Sequence, residues 1–468
     1  MPFNSIEYFI FLWVAVLVFY TTPESYKKIS LLAISAVFYI SWSPYFALFL
    51  LSAITAAYAL AFTIDRSTGL ARKRWYLTGT LLFFLGAFVF FKGLPLWRQS
   101  FNFMTHVAMP IGFSYYTFRL LSYVIDVYWE KIKPEKDFIG FASFVAFFPH
   151  ILSGPIQRAD EFFPQVRSVK NHRAEFWTSG LRLILYGLFK KLVIADNLAI
   201  VVDNVFGHVS MYNATALWMA SYVFYLQLYA DFSGLTDIAI GSGRLFGIDA
   251  PQNFNRPYLA KNIQEFWRRW HMTLCRWIND YLFLPLRMSL RNWENIGLVL
   301  SLFINMLAIS LWHGFSSGFI AFGLVQGTLI SVSVLTLRAR DHFFKGRKTL
   351  SALRRIVAPV LTFHLIVFSF IFFRYPTVAS GFQYISKLFQ GPFKFNELGM
   401  GLGGKAILGC GVGLLMMDFL EQVQLNGRWN RLADRLPTTV RWSVYYLTIA
   451  GFLIYGRFWP KEFIYFKF

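Results

Sequence analysis

Long apolar runs recur along this sequence and constrain its fold more than any other feature. Many reach about 17 residues, close to the length that a helix needs to cross a bilayer core of about 30 Å. Hydrophobic residues make up 56% of the chain and charged residues 15%, whereas soluble domains carry roughly 25% charged residues. Because a bilayer offers no water to backbone polar groups, the sequence predicts an all-α integral membrane protein.

The predicted spans form a single polytopic domain, with N-terminal spans in residues 1–92, a core in 107–337 and C-terminal spans in 356–468. Segments 109–118 and 147–155 are punctuated by proline and glycine, which is typical of kinked or re-entrant helices. We count roughly eleven to thirteen crossings from hydropathy. The clearer runs lie near residues 6–20, 29–64 (interrupted at Ser41-Trp-Ser-Pro44), 75–91, 181–200, 214–229, 235–246, 296–312, 319–337, 356–373, 406–417 and 442–455.

The basic residues that give the net charge of +21 lie in short loops between the apolar runs. This distribution is typical of orientation signals and lipid-headgroup contacts, and no nucleic-acid-binding motif accompanies it. Placing the loop with Lys27 and Lys28 and the basic loop 65–74 in the cytoplasm puts the N-terminus outside, and the first run is expected to be retained. The basic loop 338–355 is also placed in the cytoplasm. A later basic loop carries Arg428, Arg431 and Arg435.

An amphipathic stretch, residues 261–281, separates two groups of apolar runs. Its apolar residues recur at steps of three and four, which predicts a helix with one apolar face containing Trp267, Trp270 and His271. The tryptophans and neighbouring arginines could bind lipid headgroups or the phosphates of a donor, and headgroup binding explains them better. His271 taken alone is a weaker candidate, because a histidine on an interfacial helix often only contributes to its amphipathic surface, as the neighbouring tryptophans do.

A second histidine, His313, ends the apolar run at 296–312. A titratable group inside a membrane indicates function, because burying it costs free energy, and a neutral imidazole can act as a general base. A hydrogen bond to a neighbouring helix is the structural alternative. Asn305 lies on about the same helix face and could orient a substrate, although an interhelical hydrogen bond is favoured for it. His364 lies in an equally apolar run, and composition does not separate it from His313.

Other chemical groups give weaker signals. Cys275 lies four residues after His271, so the two could touch, but an isolated cysteine in an apolar setting is usually inert. The acids Asp231 and Asp237 lie between apolar runs, and helix capping explains Asp237 as well as function does. The histidines show no ligand spacing with carboxylates and the two cysteines no metal motif, so we expect no metal and no permanently bound cofactor.

Several segments around the histidines resemble the membrane-bound O-acyltransferase (MBOAT) family, in particular its alginate O-acetylation subgroup, with teichoic-acid D-alanyl transferases as near relatives. The resemblance extends over most of the chain, and the pairing of His271 with His313 is specific to the family. The segments that carry it are Pro110-Ile-Gly-Phe-Ser-Tyr-Tyr-Thr-Phe118, Phe148-Pro-His-Ile-Leu-Ser-Gly-Pro-Ile156, Asp231-Phe-Ser-Gly-Leu-Thr-Asp-Ile-Ala-Ile-Gly241, Asn253-Phe-Asn-Arg-Pro-Tyr-Leu-Ala260, Ile263-Gln-Glu-Phe-Trp-Arg-Arg-Trp-His-Met-Thr-Leu274, Asp280-Tyr-Leu-Phe-Leu-Pro285, Leu311-Trp-His-Gly314 and the tail Phe463-Ile-Tyr-Phe-Lys-Phe468.

The resemblance implies a ring of about 11 transmembrane helices with re-entrant segments around a central funnel or channel. It implies transfer of an acyl group, expected to be acetyl, from a cytoplasmic thioester such as acetyl-CoA. The acceptor would be a hydroxyl of an extracytoplasmic polysaccharide or of a periplasmic or extracellular SGNH-like acyltransferase partner. The implied base is His313, with His271 in support by positioning or polarising the thioester, and we expect Trp267, Trp270, Trp312 and Asn305 to bind substrate. The implied location is the bacterial inner membrane.

Two other functions fit parts of the sequence. D-alanyl transfer to teichoic acid would use the same fold and the same histidines. A polysaccharide or lipid transporter or flippase would instead require paired acids and bases within the spans, which the sequence does not display.

Overall fold

The computed structural model describes residues 1–100, 107–168, 174–391, 404–425 and 436–458. Within these residues the regular elements are all helical, as predicted. Among the described residues, five helices are long and apolar enough to cross a membrane, and a shorter apolar helix precedes them. The predicted loop with Arg428, Arg431 and Arg435 and the tail 463–468 lie outside the described residues. The eleven crossings and the central funnel stay predictions.

The first helices follow the predicted N-terminal spans. Pro44 begins a helix directly after the Ser41-Trp-Ser turn, where proline at the first turn costs no hydrogen bond. The Ser5 hydroxyl caps the first helix by accepting from the Tyr8 N–H at 3.2 Å. The bounds are α1 (Ile6–Thr21), α2 (Lys27–Ile40), α3 (Pro44–Arg66), α4 (Leu70–Lys92) and α5 (Leu94–Ser100).

The segments punctuated by proline and glycine contain the start of the helix Phe113–Tyr128 and all of the helix Phe148–Ile151, and both helices are largely buried. Gly112, the N-cap of the first of these helices, has a φ of 68°, and a side chain there would collide with the Ile151 carbonyl. Only glycine fits at this position. Every residue from Phe113 to Val127 is buried. The bounds are α6 (Phe113–Tyr128), α7 (Phe138–Ala146), α8 (Phe148–Ile151), α9 (Ala159–Arg167) and α10 (Ala174–Leu188).

The runs at 214–229 and 235–246 are one helix, not two. α11 (Asp196–Gly207) follows a π-helical segment, Phe189–Ala195, and α12 (Ala214–Leu245) continues for 32 residues through both runs. Asp237 therefore lies inside a helix, and the helix-capping explanation for it is wrong. The polar residues between the two runs interrupted the hydropathy without interrupting the helix.

The amphipathic stretch 261–281 is not a single helix. It divides into α13 (Ile263–Trp267), a turn, α14 (Met272–Ile278) and a π-helical segment, Asn279–Phe283. The break falls at His271, whose φ of 42° is left-handed and incompatible with a continuous helix. The three- and four-residue spacing predicted one helix with an apolar face and missed this turn.

The remaining helices include three of the five long apolar ones. A three-residue connection joins α16 to α17, and the small residue Gly327 lets α17 approach the ring of Phe303 on α16. The bounds are α15 (Leu284–Ser289), α16 (Glu294–His313), α17 (Ser317–Leu335), α18 (Leu337–Phe344), α19 (Lys348–Arg374), α20 (Val378–Leu388), α21 (Gly404–Leu425) and α22 (Thr438–Tyr455).

The chain divides into two compact units. The first comprises Met1–Tyr186 and Leu235–Gln252, and the second comprises Gly187–Gly234 and Asn253–Phe468. The second unit contains both predicted catalytic histidines and all of the predicted substrate-binding residues.

Candidate active site

His313 is the last residue of α16 and is buried, with 6% of its surface exposed. Aromatic rings surround its imidazole. The ring centroids of Trp312, Phe373 and Phe319 lie 4.7, 4.8 and 6.0 Å from that of His313. The helix end places the histidine at the α16–α17 turn, where Phe319 and Phe373 from α17 and α19 enclose it.

Trp312 links the two predicted histidines. Its ring centroid lies 5.6 Å from that of His271 as well as 4.7 Å from that of His313. His271 is 1% exposed and has the Phe232 ring on another side at 4.8 Å. The structure therefore brings His271, Trp312 and His313, which come from different parts of the sequence, into one aromatic cluster.

The Asn253 side chain holds the His271 ring. Asn253 Oδ1 lies 3.3 Å from His271 Nδ1 and accepts hydrogen bonds from the Thr273 N–H at 3.2 Å and hydroxyl at 2.5 Å. A backbone N–H can only donate, so the amide atom that faces Thr273 must be the oxygen. Since that oxygen can only accept, His271 Nδ1 carries a proton.

Backbone hydrogen bonds stabilise the left-handed turn at His271. The Met272 N–H donates to the Asn253 carbonyl at 2.8 Å, and the Asn255 N–H donates to the Arg269 carbonyl at 2.9 Å. Left-handed conformations of residues other than glycine cost about 1–3 kcal/mol and persist when the surroundings enforce them. The segment 253–255 therefore fixes the orientation of a strained residue. Sequence reasoning missed this role of Asn253, although the motif around it was recognised.

Trp267 and Trp270 are packed within the same unit. Trp267 Nε1 donates to Gln326 Oε1 at 3.1 Å, and Gln326 Nε2 donates to the Ser369 hydroxyl at 2.7 Å. These two hydrogen bonds connect α13, α17 and α19. Trp270 lies 3% exposed among other rings, namely those of Tyr225, Tyr229, Phe254, Phe266 and Phe370.

The weaker candidates have distinct environments. Asn305 is half-buried, and its Oδ1 has no hydrogen-bond partner among the described residues. His364 is exposed on α19, and its Nδ1 lies 2.7 Å from the Val360 carbonyl one turn away. The Cys275 thiol donates to the Trp270 carbonyl at 3.3 Å. Within the described ranges, no group of three metal-ligating side chains could hold an ion.

A buried ion cluster was missed by sequence reasoning, which found no paired acids and bases within the predicted spans. Lys191 Nζ lies 2.9 Å from an Asp196 oxygen and 2.8 Å from an Asp231 oxygen, and all three side chains are at most 3% exposed. Lys190 beside it pairs with Glu421 at 2.7 Å, and the Tyr229 hydroxyl donates to the same carboxylate. Lys190 and Lys191 lie in the π-helical segment 189–195, where the altered helical repeat coincides with the ion pairs.

Comparisons with known proteins extend over this region. The model of the membrane-bound O-acyltransferase family matches residues 132–375. A Pseudomonas aeruginosa protein named as a probable alginate O-acetylase is 32% identical over 442 residues, covering 90% of this chain and 80% of that protein. The Helicobacter pylori peptidoglycan O-acetyltransferase is 30% identical over 471 residues, covering 94% and 84%. The Bacillus subtilis teichoic acid D-alanyltransferase is 30% identical over 285 residues, covering 56% and 68%.

Proposed function

Because this chain belongs to the membrane-bound O-acyltransferase family, and is a multi-pass membrane O-acyltransferase, we propose that it acetylates a polysaccharide outside the cytoplasm. The donor would be acetyl-CoA or another acyl thioester on the cytoplasmic side. The acceptor would be a hydroxyl of the polysaccharide or of an extracytoplasmic SGNH-like partner enzyme. Two of the similar proteins are named for O-acetylation of alginate and peptidoglycan. Their names support an acetyl group as the group transferred and a polysaccharide as the acceptor.

We propose that His313 is the general base. The observation that carries this proposal is a buried imidazole at the end of an apolar helix, in ring contact with the tryptophan that also contacts His271. His313 would take the proton from the acceptor hydroxyl as its oxygen attacks the thioester carbonyl. The thiolate would then leave and receive the proton, which releases free thiol. The surrounding aromatic rings exclude water and so limit hydrolysis of the thioester.

His271 fits a positioning role better than a polarising one. A neutral imidazole that donates from Nδ1 to Asn253 presents an acceptor at Nε2. An acceptor cannot donate a hydrogen bond to a thioester carbonyl oxygen, whereas it can orient a donor group. Trp312 lies between the histidines and would contact the acyl group. Asn305 would orient a substrate. Trp267 and Trp270 would support the wall of the site, that is, the packed helices behind the histidines.

We propose the bacterial cytoplasmic membrane as the location of the protein. The bacterial relatives support this location, and the positive-inside rule would place the basic loops inside and the N-terminus outside. The reaction would need no resident metal or cofactor, since the thioester is a substrate. Membrane lipids would surround the apolar helices.

The test compares His313→Ala with His364→Ala. Purified protein in lipid vesicles would receive acetyl-CoA with a glycan acceptor, and both free thiol and acetylated glycan would be measured. We expect His313→Ala to lose about 10²–10⁴-fold in rate, the contribution typical of general acid–base catalysis. His364→Ala should stay within about twofold, because exposed substitutions seldom disturb a distant site. Full activity of folded His313→Ala would overturn the assignment.

D-alanyl transfer to teichoic acid is the second candidate, favoured by the similarity to the Bacillus subtilis enzyme. It predicts that a D-alanyl thioester carried on a protein replaces acetyl-CoA as donor. Supplying each donor with its own acceptor to the same preparation distinguishes the two functions.

A further inference from the structure

A basic cavity of about 340 Å³ lies in the second unit, beside the start of the stretch that leads to His271. The loop before α13, the helix α18 and the first turns of α19 form its walls. Its polar lining consists of four cations and two neutral side chains, namely Lys261, Arg340, Arg354, Arg355, Asn262 and Ser351.

The positive charge of this cavity is only partly balanced. Asp341 pairs with Arg354 at 3.0 Å. In the portion of the chain that the structure describes, Lys261, Arg340 and Arg355 have no carboxylate within salt-bridge distance. Arg340 donates from Nη2 to the Ser333 carbonyl at 2.6 Å, and its buried Nε has no hydrogen-bond partner among the described residues. An anion in the cavity would balance this charge and could satisfy buried donors.

Exposed apolar side chains continue from the cavity along α19. This helix is one of the five long apolar ones, and its cationic residues Arg354 and Arg355 lie at the start of the apolar part. Next to them, apolar side chains are between 48% and 70% exposed, at Leu353, Ile356, Val357, Val360 and Leu361. With α19 across a bilayer, this arrangement would place positive charge at the level of the lipid headgroups and apolar surface at the level of the acyl chains.

We propose that this cavity binds the phosphate of an anionic phospholipid, whose acyl chains lie along the exposed face of α19. Guanidinium groups bind phosphate oxygens with two parallel hydrogen bonds, and three arginines line the cavity. Zwitterionic lipids carry a phosphate with a compensating ammonium, so an excess of cations selects against them. The site shares no residue with the proposed acyl-transfer site and does not depend on the proposed function.

Native mass spectrometry of the purified full-length protein tests the site. Phosphatidylglycerol and phosphatidylcholine with identical acyl chains would be titrated onto wild type, Arg340→Gln/Arg355→Gln and Arg338→Gln. Arg338 lies on α18 and is exposed but does not line the cavity, which makes it the matched control. Each cation near the headgroups should be worth about fivefold, so the double variant should bind phosphatidylglycerol about 25-fold more weakly. The control should change by less than about twofold.

Competition identifies the source of the phosphate. Inorganic phosphate and coenzyme A, at millimolar concentration, would be added to the lipid complex. Retention of phosphatidylglycerol supports a lipid site, whereas its displacement by either soluble probe overturns the lipid assignment. Equal binding of both lipids, or an unchanged double variant, overturns the site itself. Arg355→Gln alone, at an exposed position, keeps the test available if the double variant does not fold.

Discussion

Two buried polar clusters in the second unit differ in the groups that surround their titratable side chains. Around His271 and His313 the neighbours are mainly aromatic rings, and an amide, Asn253, holds one imidazole. Around Lys191 the neighbours are two carboxylates within 2.9 Å, so the ammonium is paired inside the cluster. An ion cluster of this kind holds helices in register, whereas imidazoles among rings keep a proton acceptor in a water-poor site.

The two clusters are connected through α12. Asp231, which pairs with Lys191, directly precedes Phe232, whose ring lies 4.8 Å from that of His271. The ion cluster therefore fixes the part of α12 that packs on the histidine. Substitutions in the ion cluster should therefore reduce stability first, whereas substitutions around the histidines should reduce the rate of the reaction first.

Replacing Lys191 with methionine should have the largest effect on stability. Two carboxylates would remain buried without their cation, and breaking a buried pair in this way costs about 3–5 kcal/mol. The free energy of unfolding, measured by denaturant titration in detergent, should fall by that amount. Activity per folded molecule should fall less than in His313→Ala.

The same substitution at Lys28 supplies the control. Lys28 pairs with Asp137 at 2.8 Å, but both side chains are more than one-third exposed, and exposed pairs contribute about 0–1 kcal/mol. Equal losses of stability for Lys191→Met and Lys28→Met would contradict the structural role of the buried cluster.

Replacing Asn253 with alanine should affect the reaction more than the fold. The change removes the oxygen that accepts from His271 and Thr273, and a misplacement of about 1 Å can cost about 10²-fold in rate. We expect kcat to fall about 10- to 100-fold with a smaller change in the KM of the thioester. Steady-state kinetics with saturating acceptor would separate the two parameters.

Asn253→Asp keeps the accepting oxygen and serves as the conservative variant. It should recover a large part of kcat, because His271 Nδ1 and the Thr273 donors regain their acceptor. If both variants lose stability in proportion to activity, Asn253 would be a structural residue and not a positioning one.

His313 and His364 show where sequence reasoning stops. Both lie in apolar helices, and hydropathy gives them the same description. The structure separates them because α16 turns its histidine toward neighbouring helices while α19 leaves His364 exposed. Which face of a membrane helix is covered depends on packing between distant segments, and an apolar helix has no polar face to reveal it.

The missed features have the same physical origin. The apolar spacing in 261–281 predicted one helix and favoured headgroup binding by its tryptophans, whereas Trp267 and Trp270 are buried. The break at His271 depends on hydrogen bonds to 253–255. Lys191 and Asp231 are forty residues apart, and neither residue type alone predicts a buried pair. The family motifs located the site, while its internal geometry required the tertiary structure.

Replacing Asn305 with alanine tests the predicted substrate contact. Its Oδ1 lacks a hydrogen-bond partner among the described residues, so a substrate donor there would gain about 1 kcal/mol, or about fivefold in affinity. We expect KM for one substrate to rise about fivefold with kcat unchanged. Unchanged KM for both donor and acceptor would remove Asn305 from the site.

Replacing Gln326 with leucine should have the smallest effect. It tests whether Trp267 supports the packing of the helices behind the histidines or contacts substrate. The variant leaves the Trp267 N–H without its acceptor and breaks the connection from α13 through α17 to Ser369. Hydrogen bonds between membrane helices average about 0.6 kcal/mol, so the free energy of unfolding should fall by about that amount while kcat stays within about twofold. A change in KM larger than the change in stability would instead indicate that Trp267 contacts substrate, because loss of packing alone has no reason to act on one substrate.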